Sequence, residues 1–331
     1  MTPPLPGPRE VTAMTVPPHT PYARPRILLT GASGQLGWEL WRALMPLGDV
    51  VCTAGPDQVT GGAEILDLSS AAATRDLVRR VAPDFIVNPA AYTRVDQAED
   101  EISLARALNA VAPAVLAEEA ARCGAMIVHY STDYVFDGQA SRPYSEHYPP
   151  SPLNVYGQTK LEGEQAVQSG GGPYLILRTS WLYGARGNNF LMTIMNLARR
   201  QSELRIVDDQ TGAPTWARQV AEATAQILAQ AAPLGRGWLE ERAGVYHLTA
   251  AGSTTWFGFA RAILGRAQSS APLARLVPIP TVDFPTRASR PTYSVLDCTK
   301  AATVFRVALS PWEEQLDRVM EEVNQLTAVA D

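Results

Sequence analysis

Ile27-Leu28-Leu29-Thr30-Gly31-Ala32-Ser33-Gly34-Gln35-Leu36-Gly37-Trp38 is the stretch from which the fold is read. Ile27 to Leu29 form a short apolar run of strand type. Three glycines at three-residue spacing follow, and Trp38 to Leu44 reads as a helix. Strand, Gly-rich turn and helix in this order are the context that a dinucleotide site requires. The glycines let the backbone turn tightly and approach a pyrophosphate, whose charge then sits at a helix N-terminus. Gly31, Ser33, Gly34, Gln35, Leu36 and Gly37 are therefore candidate cofactor contacts. A tight turn without a ligand is the bland alternative.

Outward from this turn, strand-like runs alternate with helical ones. Val50 to Thr53, Asp84 to Asn88 and Met126 to Tyr130 are the clearest of the strands. The alternation predicts an α/β fold, a Rossmann-like doubly wound parallel sheet. Ligands in such sheets bind beyond the carboxyl ends of the strands. Asp67-Leu68 follows a short strand and has two readings, adenine contact or helix capping before Ser69.

Residues 1–25 are of another composition. Eight prolines oppose helix and strand, and the stretch has little to bury, so it reads as a disordered leader. It lacks the apolar segment of a signal peptide. Residues 26–180 are expected to be mainly the NAD(P)-binding domain. Residues 181–331 are expected to be mainly a second lobe, with some segments returning to the first. At 46% hydrophobic and 18% charged residues, the 331-residue chain has the composition of a soluble globular protein. A formal charge of −5 speaks against nucleic acid as the main partner. No membrane span is expected. Cys52, Cys123 and Cys298 are scattered without metal spacing and read as reduced cysteines of a cytoplasmic protein.

A second constellation carries the chemistry. Tyr156 and Lys160 are four residues apart, which places both on one face of a helix. An ammonium beside a phenol lowers the phenol's pKa, and a poised proton donor suits carbonyl reduction. Thr132 is delivered to the carboxyl end of a strand. Ser131 and Thr132 point to opposite faces there, and Thr132 is taken as the hydroxyl that orients the carbonyl oxygen.

Several strings occur in order along the chain: His129-Tyr130-Ser131-Thr132-Asp133-Tyr134-Val135-Phe136, Ser151-Pro152-Leu153-Asn154-Val155-Tyr156-Gly157, Arg178-Thr179-Ser180-Trp181-Leu182-Tyr183, Gly187-Asn188-Asn189-Phe190, Asp209-Gln210-Thr211-Gly212-Ala213-Pro214-Thr215 and Ala288-Ser289-Arg290-Pro291. With Gly-x-x-Gly-x-x-Gly and Tyr-x-x-x-Lys they resemble the extended short-chain dehydrogenase/reductases, and within them the dTDP-4-dehydrorhamnose reductase family. The likeness runs from about Arg26 almost to the C-terminus.

The resemblance implies reduction of a C4 ketone on a dTDP-sugar, with Tyr156 as proton donor, Lys160 on the nicotinamide ribose and Thr132 on the carbonyl oxygen. It places Ala90, Ala91 and Tyr92 beneath the pyrophosphate and nicotinamide ribose. Asp133 and Tyr134 are expected to reach sugar hydroxyls, and the Trp181 indole to cover an apolar sugar face. The same resemblance makes residues 181–331 mainly the smaller C-terminal, sugar-nucleotide-binding (substrate-binding) lobe, with Asn189, Gln210, Pro214 and Thr215 assigned to the nucleoside and Arg290 to the pyrophosphate. Either NADPH or NADH fits. The strand ending at Ala54 offers neither an acid for a ribose 2′-hydroxyl nor an arginine for a 2′-phosphate, and biosynthetic reduction leans to NADPH. Some members form dimers bridged by Mg²⁺ through two carboxylates. Glu39 keeps one of these, but Arg218 stands where the other is expected, so a monomer or metal-free homodimer is predicted. Two other readings remain: a reductase of another nucleotide 4-keto-6-deoxy sugar, and a non-catalytic subunit like the regulatory one of methionine adenosyltransferase.

Overall fold

The structure is a computed structural model that describes residues 24–58, 62–268 and 272–328, with backbone alone for 232–236 and 326–328. In chain order the strands are β1 (Arg26–Leu29), β2 (Asp49–Ala54), β3 (Glu64–Ile65), β4 (Phe85–Asn88), β5 (Met126–Thr132) and β6 (Tyr174–Thr179), then the short β7 (Leu182–Tyr183), β8 (Glu203–Val207), β9 (Thr211–Gly212), β10 (Thr215–Trp216), β11 (Gly244–His247), β12 (Thr254–Thr255) and β13 (Arg275–Ile279). Seven of them form one sheet in the order β11-β6-β5-β4-β1-β2-β3, with every neighbouring pair parallel. The order reverses between β1 and β4, the switch point where doubly wound sheets hold ligands.

Helices cover both faces: α1 (Gln35–Leu44), α2 (Ala71–Val81), α3 (Val95–Ala98), α4 (Ile102–Arg106), α5 (Ala112–Cys123), α6 (Val155–Gln168), α7 (Phe190–Ala198), α8 (Ala217–Glu241), α9 (Trp256–Arg266), α10 (Thr299–Phe305) and α11 (Trp312–Ala328). The central strands are apolar on both sides because both sides are covered. Ile27, Leu29, Phe85, Val87 and Val128 face α1 and α8 through Leu36, Leu40, Val220 and Ile227. The alternate residues Leu28, Ile86 and Ile127 face α2 and α5 through Leu77, Val78 and Leu116. Each such buried aliphatic side chain contributes roughly 1.5–3 kcal/mol. A separate core lies off the sheet, where Tyr183, Leu191, Ile194, Phe259, Ile263, Leu316 and Val319 pack α7, α9 and α11 together. The chain beyond residue 181 divides between the two cores, since α8 and β11 return to the sheet.

The expected leader lies outside the described residues up to residue 23. Arg24 and Pro25, placed in that leader from sequence, belong to the fold. The Arg24 guanidinium donates to the carbonyls of Met45 at 2.8 Å and Gly48 at 2.9 Å. The Pro25 carbonyl accepts from the Asp49 amide at 2.9 Å. The Met45 and Gly48 carbonyls lie just past the end of α1, where backbone acceptors lack helical partners. Among the described residues no helix is long and apolar enough to cross a membrane.

Candidate active site

The Gly-rich turn lies at the switch point. Gly31 has φ +58, in the left-handed region, and a β-carbon there would come 2.9 Å from the Ala90 β-carbon. A β-carbon on Gly37 would lie 2.0 Å from the Gly31 carbonyl oxygen. Two glycines thus let α1 start against the turn and the turn lie against the segment after β4. The helix begins at Gln35, three residues before the sequence-based estimate, because extended Gly34 is its N-cap. No side chain caps α1. A bare helix N-terminus beside a surface formed by glycines suits the oxygens of a diphosphate. Ser33 donates to the Gln58 side chain, and Gln35 accepts from Asn189 at 2.9 Å. Asp67 receives the amide and hydroxyl of Ser69 at 2.9 and 2.7 Å, while the cap of α2 is Ser70, which accepts the Ala73 amide at 3.3 Å. Leu68 packs against the α2–α5 core.

Thr132 ends β5, and Tyr156 and Lys160 lie on α6. Asn154 starts that helix by accepting the Gly157 amide at 2.8 Å, and it ties the helix to the Ser289 carbonyl at 2.7 Å. The Thr132 hydroxyl donates to Asp133 at 3.0 Å and accepts from the Tyr134 amide at 3.1 Å. The Tyr134 and Tyr156 rings meet edge to face at 5.8 Å. Burial pushes Tyr156 up to about 12, with the Thr132 hydroxyl drawing it down and Asp133 raising it.

The expected lowering of the Tyr156 pKa by Lys160 is therefore corrected. Lys160 is 2% exposed, and its Nζ turns to β5, donating to the Tyr130 carbonyl at 2.6 Å. A phenol near 12 is protonated at neutral pH, which is the form a proton donor needs. The same burial lowers Lys160 to about 8. Asp133 is 2% exposed, and burial raises its carboxyl to about 7 against the opposing hydrogen bonds of Ser294 and Thr132. The Thr132 proton, assigned from sequence to a substrate carbonyl, is engaged by Asp133 in this structure.

Trp181 follows β6 with φ +45, a strained conformation for a bulky residue. Its ring stacks on Trp256 at 3.5 Å and lies over Gly212, where a β-carbon would come 2.4 Å from the indole. Asn189 is committed to structure: it caps α7 through the Met192 amide and donates to the Gly184 and Arg186 carbonyls, each at 3.0 Å. Gln210 is buried and bonded to Thr281. Pro214 is buried too, and the fully buried Thr215 hydroxyl donates to the Ala213 carbonyl at 2.9 Å. Of these four residues, all expected to face a nucleoside, Gln210 and Thr215 are buried polar side chains with internal partners, as a polar group taken out of water needs. Arg290 bonds Asp96 at 2.8 Å, while Ala288 donates its amide to the same carboxylate and Arg287 pairs with Asp100.

Three residues given no role from sequence are central. Asn109 sits in a π-helical segment, Ala107–Val111, and joins both the amide and the carbonyl of Tyr92 to Thr159 of α6. Asn88 and His129 lie behind Lys160. The available signal was a polar side chain inside an otherwise apolar run, as in Ala107-Leu108-Asn109-Ala110-Val111. The Glu39 carboxylate and Glu322 share the guanidinium of Arg218. Among the described residues no cluster of three or more His, Cys, Asp or Glu side chains suits a metal. A groove of about 1040 Å³ lined by residues such as Arg142, Tyr148, Thr249 and Cys298 includes none of Thr132, Tyr156 and Lys160.

Residues 25–325 match the family described as the RmlD substrate binding domain. A protein of Burkholderia thailandensis named dTDP-4-dehydrorhamnose reductase is 46% identical, over 87% of this chain and 95% of its own length. Its namesake in Escherichia coli K12 is 41% identical, over 92% of this chain and 99% of its own. The crystal structure of dTDP-4-dehydrorhamnose reductase from Bacillus anthracis in complex with NADP superposes with a TM-score of 0.81. It covers 90% of this chain and 99% of its own at 34% identity. A Thermus thermophilus UDP-glucose 4-epimerase bound to NAD shares the fold, with a TM-score of 0.73 and 20% identity, over 90% of this chain and 98% of its own.

Proposed function

The chain belongs to the RmlD substrate-binding family, and from that premise we propose that it reduces the C4 ketone of dTDP-6-deoxy-L-lyxo-4-hexulose to dTDP-L-rhamnose at the expense of a nicotinamide dinucleotide. The observation that carries this reading is the half-buried Tyr156, edge to face with Tyr134 next to Thr132, at the end of a sheet whose first turn leaves a helix N-terminus uncapped. When bound, the dinucleotide supplies the hydride. Gly31, Gly34 and Gly37 let its pyrophosphate approach the start of α1, with Ala90 and Ala91 beneath it. Tyr156 gives its phenolic proton to the C4 oxygen as charge develops there. Thr132 turns its hydroxyl from Asp133 toward that oxygen. Asp133, which loses that donor, can hold a proton of its own instead, as its raised pKa allows near neutrality. Lys160 remains at the nicotinamide ribose side of α6. Trp181, fixed over Gly212, covers the sugar, and Arg290 exchanges Asp96 for a phosphate oxygen. NADPH is the preferred donor in this reading, supported by the NADP complex of the Bacillus anthracis relative.

The test follows absorbance at the nicotinamide band, with purified protein, NADPH or NADH, and the keto sugar made in situ by the preceding dehydratase and epimerase. Oxidation with dTDP-L-rhamnose as product is expected, faster with NADPH. Tyr156→Phe should lower turnover by about 10²–10⁴-fold, the usual range for a lost general acid, and leave NADPH affinity within about twofold. A variant that turns over at the parent rate removes Tyr156 from the reaction, and no oxidation with either cofactor rejects the substrate.

A further inference from the structure

On the substrate side, one arginine uses only half of its binding edge. Arg290 Nη2 donates to Asp96 Oδ2 at 2.8 Å. Nε lies on the same edge of the guanidinium, the edge that can grip two oxygens of one anion side by side. Among the described residues Nε has no hydrogen-bond partner, and almost no solvent reaches it. The carboxylate beside it does not fill this position, because its second oxygen, Oδ1, takes the Ala288 amide at 3.2 Å. One donor of the fork is engaged and its neighbour is enclosed without an acceptor.

The contact ties the segment from Thr286 to Arg290 to the first turn of α3, where Asp96 lies. The other acids nearby are engaged elsewhere. Glu99 accepts the Val155 amide at 2.9 Å, Glu101 accepts the Tyr92 hydroxyl at 2.8 Å, and Asp100 pairs with Arg287. On the opposite side Asn154, the cap of α6, holds the Ser289 carbonyl at 2.7 Å. The segment therefore stays anchored to the catalytic helix if Asp96 lets go. The Tyr134 phenol is pushed up by burial and by Asp133, drawn down by Arg290 and raised by Asp96. The pair thus adjoins the ring that meets Tyr156.

Two energetic features make this contact exchangeable. Its side chains are 25% and 41% exposed, and ion pairs so exposed are weak. A buried donor without an acceptor, in contrast, disfavours the state that contains it. A diphosphate relieves the second and outbids the first, since it offers oxygens to both Nη2 and Nε and carries more charge than one carboxylate.

We propose that Asp96 is a placeholder for the diphosphate of the sugar nucleotide: it holds Arg290 in the empty site and competes with the ligand, which enters by replacing one bond to Nη2 with a two-point grip by Nη2 and Nε. The proposal rests on Arg290 being the phosphate-binding residue and deepens that reading by naming the competing group and the second donor. Asp96 then lowers affinity for substrate and product alike, because both carry the same diphosphate. The sign is distinctive. Removing a competitor tightens binding, whereas removing a residue that merely held Arg290 in place weakens it.

Full-length protein saturated with NADPH is titrated calorimetrically with dTDP, in the parent and in Asp96→Asn. The asparagine keeps the shape and an acceptor for Arg290 but carries no charge. Affinity for dTDP should rise roughly two- to fivefold, the scale of one exposed ion pair. Affinity for NADPH, measured separately, should hold within about twofold, since its diphosphate belongs at the start of α1. Asp96→Ala should shift dTDP in the same direction and serves if the asparagine variant does not fold. Unchanged or weaker dTDP binding in a folded variant overturns the proposal. So does an equal tightening of NADPH, which would reflect the overall charge rather than the Arg290 fork. A parent that binds no dTDP rejects the substrate reading itself, so the two failures are distinguishable.

Discussion

Asp133 is buried between Thr132 and Tyr134, with its carboxyl raised from 3.8 to about 7. Between these values the folded protein retains a proton that the unfolded chain has lost, so this residue lowers stability as pH rises from about 4 to about 7. Spread over that interval the cost approaches ~4 kcal/mol, at about 1.4 kcal/mol per unit. Asp133→Asn should therefore gain on the parent across the same interval, with no such trend below it. Denaturant unfolding at a series of pH values measures this, and a difference independent of pH would contradict the assignment. At this scale the identities Thr132, Tyr156 and Lys160 were readable from spacing. Their protonation states were not, because desolvation depends on neighbours that spacing does not reveal. The sequence reading made Lys160 the cause of an acidic tyrosine, whereas folding turns the lysine to the Tyr130 carbonyl and leaves the phenol near 12.

Helix α6 is the element on which the site depends. The i, i+4 pair was a local signal, and the helix follows it, with Asn154 as its cap. Its packing partner, the π-helical Ala107–Val111, was not legible, since a π segment arises from a shift of hydrogen-bond register rather than from a residue pattern. Gly163 and Asn109 lock the two together, the built β-carbon at 163 lying 2.0 Å from the Asn109 carbonyl. Gly163→Ala should push α6 outward and destabilise by about 1–3 kcal/mol, as overpacking does. It should also reduce kcat more than it raises KM, because the displaced helix carries Tyr156 and Lys160. Thermal unfolding and steady-state kinetics check both parts. An unchanged kcat would show that the helix tolerates the shift.

Across the whole molecule, the segment from Thr286 to Arg290 reaches from the second core back to α3. Arg290 bonds Asp96 there, and Asn154 holds the Ser289 carbonyl. The Arg290 and Asp96 side chains are 25% and 41% exposed, so the pair itself contributes little to stability, within about 1 kcal/mol. Arg290→Ala should then leave the melting temperature nearly unchanged and raise KM for the sugar nucleotide roughly 10–100-fold, the range of a charge-assisted phosphate bond. NADPH affinity should hold within about twofold, as measured by fluorescence titration. Loss of NADPH binding instead would move Arg290 to the cofactor.

The sequence by itself determined the parallel sheet, the glycine turn at its switch point and the tyrosine–lysine pair, because each is encoded by residues within a few positions of one another. Period, turn chemistry and helical spacing are short-range properties, and no distant partner is needed to express them. Only the tertiary structure decided that Asn88 meets His129, that Gln35 meets Asn189 and that Asp96 meets Arg290. It also committed Asn189, Gln210 and Thr215 to internal bonds. Contacts across tens to hundreds of residues exist only after burial, and burial sets which protons those side chains keep.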